Sequence, residues 1–325
     1  MNEPTNGSTI PQDRHARMLR TALGPYIAAA LVDPEVVEIL LNPDGALWID
    51  RLRQGRQRLD QTLTVRDAER IIRLVAAHVQ VEVHAGSPIV SAELPETGER
   101  FEGVLPPLVR APAFAIRKRA IGVIPLHQYV DEGVLSADQC RHLRAAVQTR
   151  QNILIAGGAG SGKTTLANAL LQEIAHTGDR VLLMEDTVEL QCVCEDHVPM
   201  RTKPGVATLT QLVRSALRMR PDRLVIGEVR GGEALDLLKA WGTGHPGGVA
   251  TVHAGSARAA LTRVEQLIQE VLVTVPRALI AEAVDVVAFI ERHGASRRVA
   301  EIMTVTGLNA DGYVFETFSP TEGEQ

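Results

Sequence analysis

The 325-residue chain has few aromatic residues, no strong excess of either charge and no long uncharged hydrophobic run. Aromatic residues make up 3% of the chain, which is little for a groove that stacks the bases of a nucleic-acid strand. The formal net charge of −5 gives no overall attraction to nucleic acid or to an acidic membrane. Because no stretch of about 20 uncharged apolar residues exists, we expect any membrane association to be peripheral.

Cysteine is also scarce, since the chain contains only Cys140, Cys192 and Cys194. Three cysteines are too few for a disulfide framework, and the spacing of the last two does not suit a zinc-binding pair. We therefore expect reduced cysteines in a cytosolic protein that has no cysteine metal site.

The length allows two domains, because one hydrophobic core rarely grows beyond about 250 residues. Residues 1–17 are polar and are predicted to form a disordered tail. Residues 18–119 combine two predicted helices with short strands and turns, which indicates a small α+β domain. Residues 120–135 show little periodicity and are interpreted as a linker. Strands and helices alternate in residues 136–325, which indicates a parallel α/β sheet.

A complete phosphate-binding motif lies in the second domain. Residues 157–164 read GGAGSGKT, between a predicted strand at 152–156 and a predicted helix at 164–174. Backbone N–H groups of such a loop hold phosphate oxygens, Lys163 would contact the β- and γ-phosphates, and Thr164 would ligate Mg²⁺. The motif predicts a nucleoside triphosphate site formed by Gly157, Gly158, Ala159, Gly160, Ser161, Gly162, Lys163, Thr164 and Thr165.

Acidic residues follow the next predicted strand, residues 181–184. Glu185, Asp186 and Glu189 stand just beyond its carboxyl end, where open α/β sheets bind ligands. Nucleotide hydrolysis needs a group that orients or deprotonates the attacking water, and Glu185, supported by the other two acids, could polarise it. A solvated acidic loop is the alternative that the spacing alone leaves open.

Two further predicted strands each end in a polar residue. Residues 224–227 precede Glu228, which is typical of a Walker B acid that holds Mg²⁺. The common form carries an aspartate where this chain has Gly227, so a water-bridged contact with the metal is favoured. The strand at 249–252 precedes His253, which would lie beside the phosphate loop and sense the γ-phosphate. An ordinary helix-start acid and a structural histidine are the alternatives.

In combination, these segments resemble the Walker A, Asp box, Walker B and His box of the secretion superfamily ATPases. The wording of residues 218–232 (RMRPDRLVIGEVRGG) and 242–254 (GTGHPGGVATVHA) is typical of the type IV secretion branch. Residues 98–107 and 114–118 resemble the end of that family's N-terminal domain. The resemblance covers about residues 18–310 and implies a RecA-like P-loop NTPase domain that follows a smaller α+β domain.

The resemblance also implies an activity and a setting. Proteins of this branch hydrolyse ATP with Mg²⁺ to power pilus biogenesis and DNA transfer. They form homohexameric rings in the cytoplasm, associate peripherally with the inner membrane and work with other components of the secretion apparatus, including its other ATPases. Arginines of their N-terminal domain reach the nucleotide phosphates, and Arg100 and Arg117 stand in the matching segments. Direct DNA binding is not expected.

Two other functions remain as alternatives. A RecA-like DNA helicase would share the phosphate loop but would need a basic, aromatic strand-binding groove, and a DNA-stimulated ATPase assay would identify it. A nucleotide-gated scaffold would switch partners without steady turnover, and very slow hydrolysis would identify that role.

Overall fold

The computed structural model describes residues 9–52, 54–95, 97–118, 122–203, 205–293 and 296–318. The chain divides into two compact units, Met1–Ile121 and Gly122–Gln325, here called the N-terminal and C-terminal units. Each unit has its own sheet and its own hydrophobic core. None of the helices in the described ranges is long and apolar enough to cross a membrane.

The N-terminal unit is built on a six-stranded sheet in which every neighbouring pair is antiparallel. Its elements are α1 (Thr9–Val32), β1 (Val36–Leu41), β2 (Ala46–Arg51), β3 (Gly55–Thr62), α2 (Val65–His78), β4 (Ile89–Glu93), β5 (Arg100–Val104) and β6 (Ala113–Arg117). The strand order is β3-β2-β1-β6-β5-β4. Helix α1 is kinked at Gly24, whose φ of 71° lies in the left-handed region that glycine tolerates.

Alternation of buried and exposed residues defines the core of this unit. Ile39, Phe101 and Ile116 lie on one face of the sheet and belong to the same buried cluster as Ile72 of α2. The side chain of Thr64 accepts a hydrogen bond from the third residue of α2 and caps that helix. The sheet therefore buries one face against its helices, as antiparallel sheets commonly do.

Helix α1 differs from the sequence prediction. It begins at Thr9, so part of the predicted disordered tail, residues 1–17, is helical, while residues 1–8 lie outside the described part of the chain. Ala16 and Leu19 lie on one helical face and both are buried. Burial of this apolar face stabilises the helix.

The C-terminal unit is built on an eight-stranded sheet of order β14-β13-β12-β7-β11-β10-β8-β9. Its elements are α3 (Leu126–Asp131), α4 (Ala137–Gln148), β7 (Ile153–Gly157), α5 (Lys163–Ala175), β8 (Val181–Glu185), β9 (His197–Arg201), α6 (Leu209–Ala216), β10 (Arg223–Ile226), α7 (Glu233–Gly242), β11 (Val249–His253), α8 (Ala257–Gln269), α9 (Arg277–Ala283), β12 (Val286–His293), β13 (Ser296–Asn309) and β14 (Gly312–Thr317). Neighbouring strands run parallel along the part of the sheet formed by β12, β7, β11, β10, β8 and β9. Strands β13 and β14 extend this sheet beyond β12 with antiparallel pairing.

Strands β7, β8 and β10 are buried along their whole length. Two separate hydrophobic clusters contain alternating residues of these strands, one for each face of the sheet. A parallel sheet covered on both faces leaves the ends of its strands as the place for polar chemistry.

The predicted linker, residues 120–135, is wrong over most of its length. It contains α3, whose Leu126 and Tyr129 are buried in the core of the C-terminal unit. Residues 119–121 lie outside the described part of the chain. A helix of six residues is too short to show a helical period, so its sequence pattern does not predict it.

Candidate nucleotide site

The phosphate loop connects the end of β7 to the start of α5 at Lys163. Gly162 has a φ of 102°, which requires glycine. A methyl group at Gly157 would lie 2.3 Å from the backbone oxygen of Ile290 and 2.4 Å from Ser161 Oγ. The shape of the loop therefore demands glycine at both ends of the motif.

Lys163 is 7% exposed and lies folded along its own loop. Its Nζ donates hydrogen bonds to the backbone oxygens of Gly157, at 3.0 Å, and Gly158, at 2.9 Å. The same Nζ lies 3.4 Å from Nδ1 of His253, which stands opposite Gly157 in the parallel pairing of β11 with β7. Because an ammonium group can only donate, a hydrogen bond between these two groups requires an unprotonated Nδ1.

Glu228 links the histidine to a neighbouring arginine. Nε2 of His253 lies 2.7 Å from Glu228 Oε1, and Arg230 Nη2 donates a 2.6 Å hydrogen bond to Glu228 Oε2. Burial alone would raise the pKa of Glu228, but the hydrogen bond from Arg230 and the charges of Arg230, His253 and Lys163 hold that pKa below its usual value. The acid is therefore ionised at neutral pH.

Arg230 is a site residue that sequence reasoning missed. Besides Glu228, its guanidinium lies 3.9 Å from a carboxylate oxygen of Asp186, whose other oxygen accepts a 2.9 Å hydrogen bond from Thr202. The hydrogen bond to Glu228 raises the pKa of Arg230 above its usual value. Its position two residues after the Walker B acid was the available signal.

Glu185 is 4% exposed and holds the acidic segment in place. Its Oε1 accepts backbone hydrogen bonds from Glu189, at 2.9 Å, and Leu190, at 2.8 Å. A methyl group at Gly227 would lie 3.0 Å from Glu185 Cγ and 3.1 Å from its Oε1. Glycine in place of the usual Walker B aspartate therefore leaves room for the buried glutamate.

Glu189 lies against the start of α5. The hydroxyl of Thr164 donates a 3.2 Å hydrogen bond to Glu189 Oε2. Asn168, one turn further along α5 and 1% exposed, donates to the backbone oxygen of Glu189 at 3.3 Å and accepts from the N–H of Gln191 at 2.9 Å. Asn168 was also missed, although a polar residue on the buried face of that helix was a signal.

The donor set suits a hard divalent cation. Mg²⁺ in phosphate-transfer sites takes one or two protein oxygens together with phosphates and water. The Thr164 hydroxyl, with Glu189 beside it, and the ionised Glu228 supply oxygens of that kind. Among the described residues, no three or more His, Cys, Asp or Glu side chains cluster so as to hold a metal ion by themselves.

The glycine-rich segment before β11 is fixed by one buried amide. Asn152 Oδ1 accepts hydrogen bonds from the N–H groups of Gly247, at 2.8 Å, and Gly248, at 3.0 Å. A methyl group at Gly248 would lie 2.1 Å from the indole nitrogen of Trp241, so this position also requires glycine. These contacts set the start of the strand that carries His253 to the phosphate loop.

Arg100 and Arg117 lie together in the N-terminal unit. They are directly opposite each other on the antiparallel strands β5 and β6. Their chain neighbours Phe101 and Ile116 are buried, so the two arginines are on the open face of the sheet. Two adjacent guanidinium groups match the oxygens of a phosphate chain.

Comparisons with known proteins agree with the resemblance to secretion ATPases that the sequence motifs indicate. Residues 23–300 match the family model described as "Type II/IV secretion system protein". The chain is 47% identical over 311 residues to the conjugal transfer protein TrbB of Rhizobium radiobacter, covering 95% of this chain and 96% of that protein. It is 33% identical over 327 residues to the type IV secretion system protein PtlH of Bordetella pertussis, covering 89% and 95%.

Among solved structures, the ATPase DotB of Legionella pneumophila is 17% identical with a TM-score of 0.58, and the match covers 97% of this chain and 82% of DotB. This similarity concerns the fold alone. Together with the family match, it confirms the predicted fold class of a RecA-like P-loop NTPase domain with a smaller α+β domain.

Proposed function

The chain belongs to the type II/IV secretion system protein family and is an ATPase of its type IV secretion branch, and we propose that it powers conjugative transfer as a Mg²⁺-dependent motor. The motor would be a homohexameric ring, peripherally associated with the cytoplasmic face of the inner membrane. Its partners would be the other components of the conjugative apparatus, including the other ATPases.

One observation carries the proposal of hydrolysis. His253 contacts both Lys163, at 3.4 Å, and Glu228, at 2.7 Å. These residues come from three separate segments, and the imidazole joins the phosphate-binding lysine to the Walker B acid. Simple nucleotide binding needs only the loop, whereas hydrolysis needs groups that respond to the γ-phosphate. This contact therefore supports a site that turns nucleotide over.

The phosphate loop would bind ATP through its backbone N–H groups and Lys163, helped by the positive end of α5. Thr164 and, through water, Glu228 would hold Mg²⁺, and Glu189 lies within reach of the same place. When bound, the ion would supply positive charge that offsets the charge developing on the transferring phosphoryl group. His253 would donate a hydrogen bond to the γ-phosphate or release it, depending on the nucleotide.

The roles of the acids can be refined. We predicted that Glu185 polarises the attacking water with support from Asp186 and Glu189. Because one oxygen of Glu185 accepts two backbone hydrogen bonds, we propose that it acts largely by holding Glu189 near Thr164. Glu185→Ala should then retain ATP binding and lose turnover, whereas Glu185→Gln keeps an oxygen that accepts both bonds and should keep much of the turnover. Glu189→Gln should lose turnover.

Arg100 and Arg117 would bind phosphate oxygens of the ATP in the assembled ring. A guanidinium is always charged and binds phosphate through paired hydrogen bonds, so it suits the stabilisation of a transferring group.

Lys163→Ala tests the proposal directly. We expect ATP turnover to fall by at least about 100-fold, because one preorganised donor to the transferring group is worth that much. DNA transfer in a mating assay should fail, while circular dichroism should show an unchanged fold. Lys239→Ala is the matched control, because Lys239 is an exposed lysine of the same unit. Wild-type turnover in Lys163→Ala would refute the proposed function.

The ring and the DNA-motor alternative need separate measurements. Solution mass with and without a non-hydrolysable ATP analogue should reveal a hexamer, and a monomer under both conditions would contradict the ring. Single-stranded DNA should leave ATP turnover unchanged, and strong stimulation would favour the helicase alternative.

A further inference from the structure

The last hairpin of the sheet brings another arginine to the phosphate loop. Strand β12 runs parallel to β7, with Phe289 opposite Ala156, and β13 returns antiparallel beside β12. On β13, the side chain of Arg297 lies over Gly162. A methyl group at Gly162 would be 2.9 Å from Arg297 Cδ and 3.3 Å from its Nε. This contact lies outside the four sequence segments that define the hydrolytic site.

The neighbouring arginine is placed differently. Successive residues of a strand point to opposite faces, so Arg298 points away from the loop side of the hairpin. Its Nη2 donates a 2.9 Å hydrogen bond to Glu291, and its side chain is half exposed. Arg297 and Arg298 thus form a natural pair for comparison, because they share charge and backbone but only Arg297 reaches the loop.

The charge of Arg297 influences a buried tyrosine of the same unit. Burial raises the pKa of Tyr129 on α3, and the positive charge of Arg297 partly opposes that effect. The guanidinium is therefore near both a buried phenol and the amino-terminal end of α5. That end is where a loop of this kind holds the phosphates of its nucleotide.

The strand order indicates which phosphates are within reach. Strand β7, which leads into the loop, lies between β12 and β11. Glu228 and His253, the groups expected at the γ-phosphate, come from the β11 side. Arg297 comes from the β12 side and meets the loop at its last glycine, directly before Lys163. It therefore approaches the part of the nucleotide that remains after hydrolysis.

We propose that Arg297 binds the α- or β-phosphate of the nucleotide held by the phosphate loop of its own chain. This assignment rests on the proposed nucleotide function and adds a residue that sets affinity. It differs from the role of Arg100 and Arg117, which concerns the transferring group. Loss of Arg297 should weaken ATP and ADP binding alike and leave the rate of the chemical step nearly unchanged.

Titration of the full-length protein with ADP and with a non-hydrolysable ATP analogue tests the proposal. Arg297→Gln should raise both Kd values by about tenfold, the effect of one charge-assisted hydrogen bond. The kcat at saturating ATP should stay within about twofold, because the lost contact is present before and after the transition state. Arg298→Gln, the matched control, should leave both Kd values at the wild-type level.

A purely structural role is distinguished by two further measurements. Arg297→Lys keeps the charge and should keep most of the ADP affinity, whereas a packing role would not depend on charge. Thermal unfolding without nucleotide should be similar in Arg297→Gln and Arg298→Gln. Wild-type ADP affinity in Arg297→Gln, or weakened affinity that Arg297→Lys shares in full, would overturn the assignment.

Failure of this proposal is separable from failure of the proposed function. If Lys163→Ala is inactive while Arg297→Gln binds ADP normally, only the role of Arg297 is wrong. If Lys163→Ala retains turnover, the nucleotide function itself is wrong, and the role of Arg297 is overturned with it.

Discussion

The two sheets carry their candidate functional residues in different places. In the C-terminal unit, Glu185, Glu228 and His253 stand at the carboxyl ends of parallel strands. In the N-terminal unit, Arg100 and Arg117 lie across from each other on the open face of an antiparallel sheet. Burial explains the difference, because a sheet covered on both faces offers only its ends and a sheet covered on one face offers the other.

The two settings also constrain their residues differently. At the strand ends, a methyl group at Gly157 or Gly227 would collide with neighbouring atoms, so the geometry depends on the backbone and on small residues. On the open sheet face, Arg117 is exposed. We therefore expect substitutions of these two glycines to damage both structure and activity, and substitutions of the two arginines to damage activity alone.

The largest effect is expected at Gly227. Gly227→Asp restores the common Walker B form, yet it should lower ATP turnover by about 100-fold, since small displacements of catalytic groups have effects of that size. Its Cβ would lie 3.0 Å from Glu185 Cγ, and its carboxylate would stand beside a buried one. Overpacking of this kind costs about 1–3 kcal/mol, which thermal unfolding would detect.

Gly122→Asp is the control for that substitution, because a side chain at Gly122 meets nothing within 4 Å. It should be active and stable. Turnover at or above the wild-type rate in Gly227→Asp would show that the strand end tolerates the common form, and the contrast between the two sheets would lose its basis.

A smaller effect is expected on the open face of the N-terminal sheet. Arg117→Ala and Arg100→Ala should each lower kcat by about 10- to 100-fold, which corresponds to one charged hydrogen bond to phosphate. Their melting temperatures should remain near the wild-type value. Arg56→Ala, an exposed arginine of the same sheet, is the control and should be fully active. A double variant with normal turnover would remove both arginines from the mechanism.

The smallest effect is a displacement of the pH profile. The pKa of Glu228 is held below its usual value against the effect of burial, and Arg230 is the main cause of the lowering. In Arg230→Gln the pKa of Glu228 should therefore rise, and more of the acid is protonated at a given low pH. The acid limb of the kcat profile should move to higher pH, with little change near neutrality. An unchanged acid limb would show that ionised Glu228 is not required.

The central strands were predictable because each is a continuous apolar run with a polar residue at its end. The strand predicted at 152–156 is shifted by one residue from the observed Ile153–Gly157. The strand predicted at 249–252 is one residue shorter than the observed Val249–His253. The short helix Leu126–Asp131 was not predictable, because six residues show no periodicity. Its burial comes from packing against α4 and α5, which a single stretch of sequence does not express.

The site was predictable where one motif contains all the partners and unpredictable where distant segments meet. Lys163 and Thr164 follow from the loop motif. Arg230, Asn168 and Arg297 acquire their places from tertiary contacts with Asp186, Glu189 and Gly162. Arg230 and Asn168 had local signals, in the Walker B segment and on the buried face of α5, whereas no local pattern distinguishes Arg297 from the other arginines of the chain.

The position of β7 within its sheet has a consequence for the motor cycle. The acids and the histidine reach the loop from β8, β10 and β11, whereas Arg297 reaches it from the opposite neighbour, through β12 and β13. With Arg297 in its proposed role, the dwell time of spent ADP and the speed of cleavage are set on opposite flanks of one strand. Substitutions in the final hairpin would then change how long each subunit holds ADP and leave the cleavage step nearly unchanged.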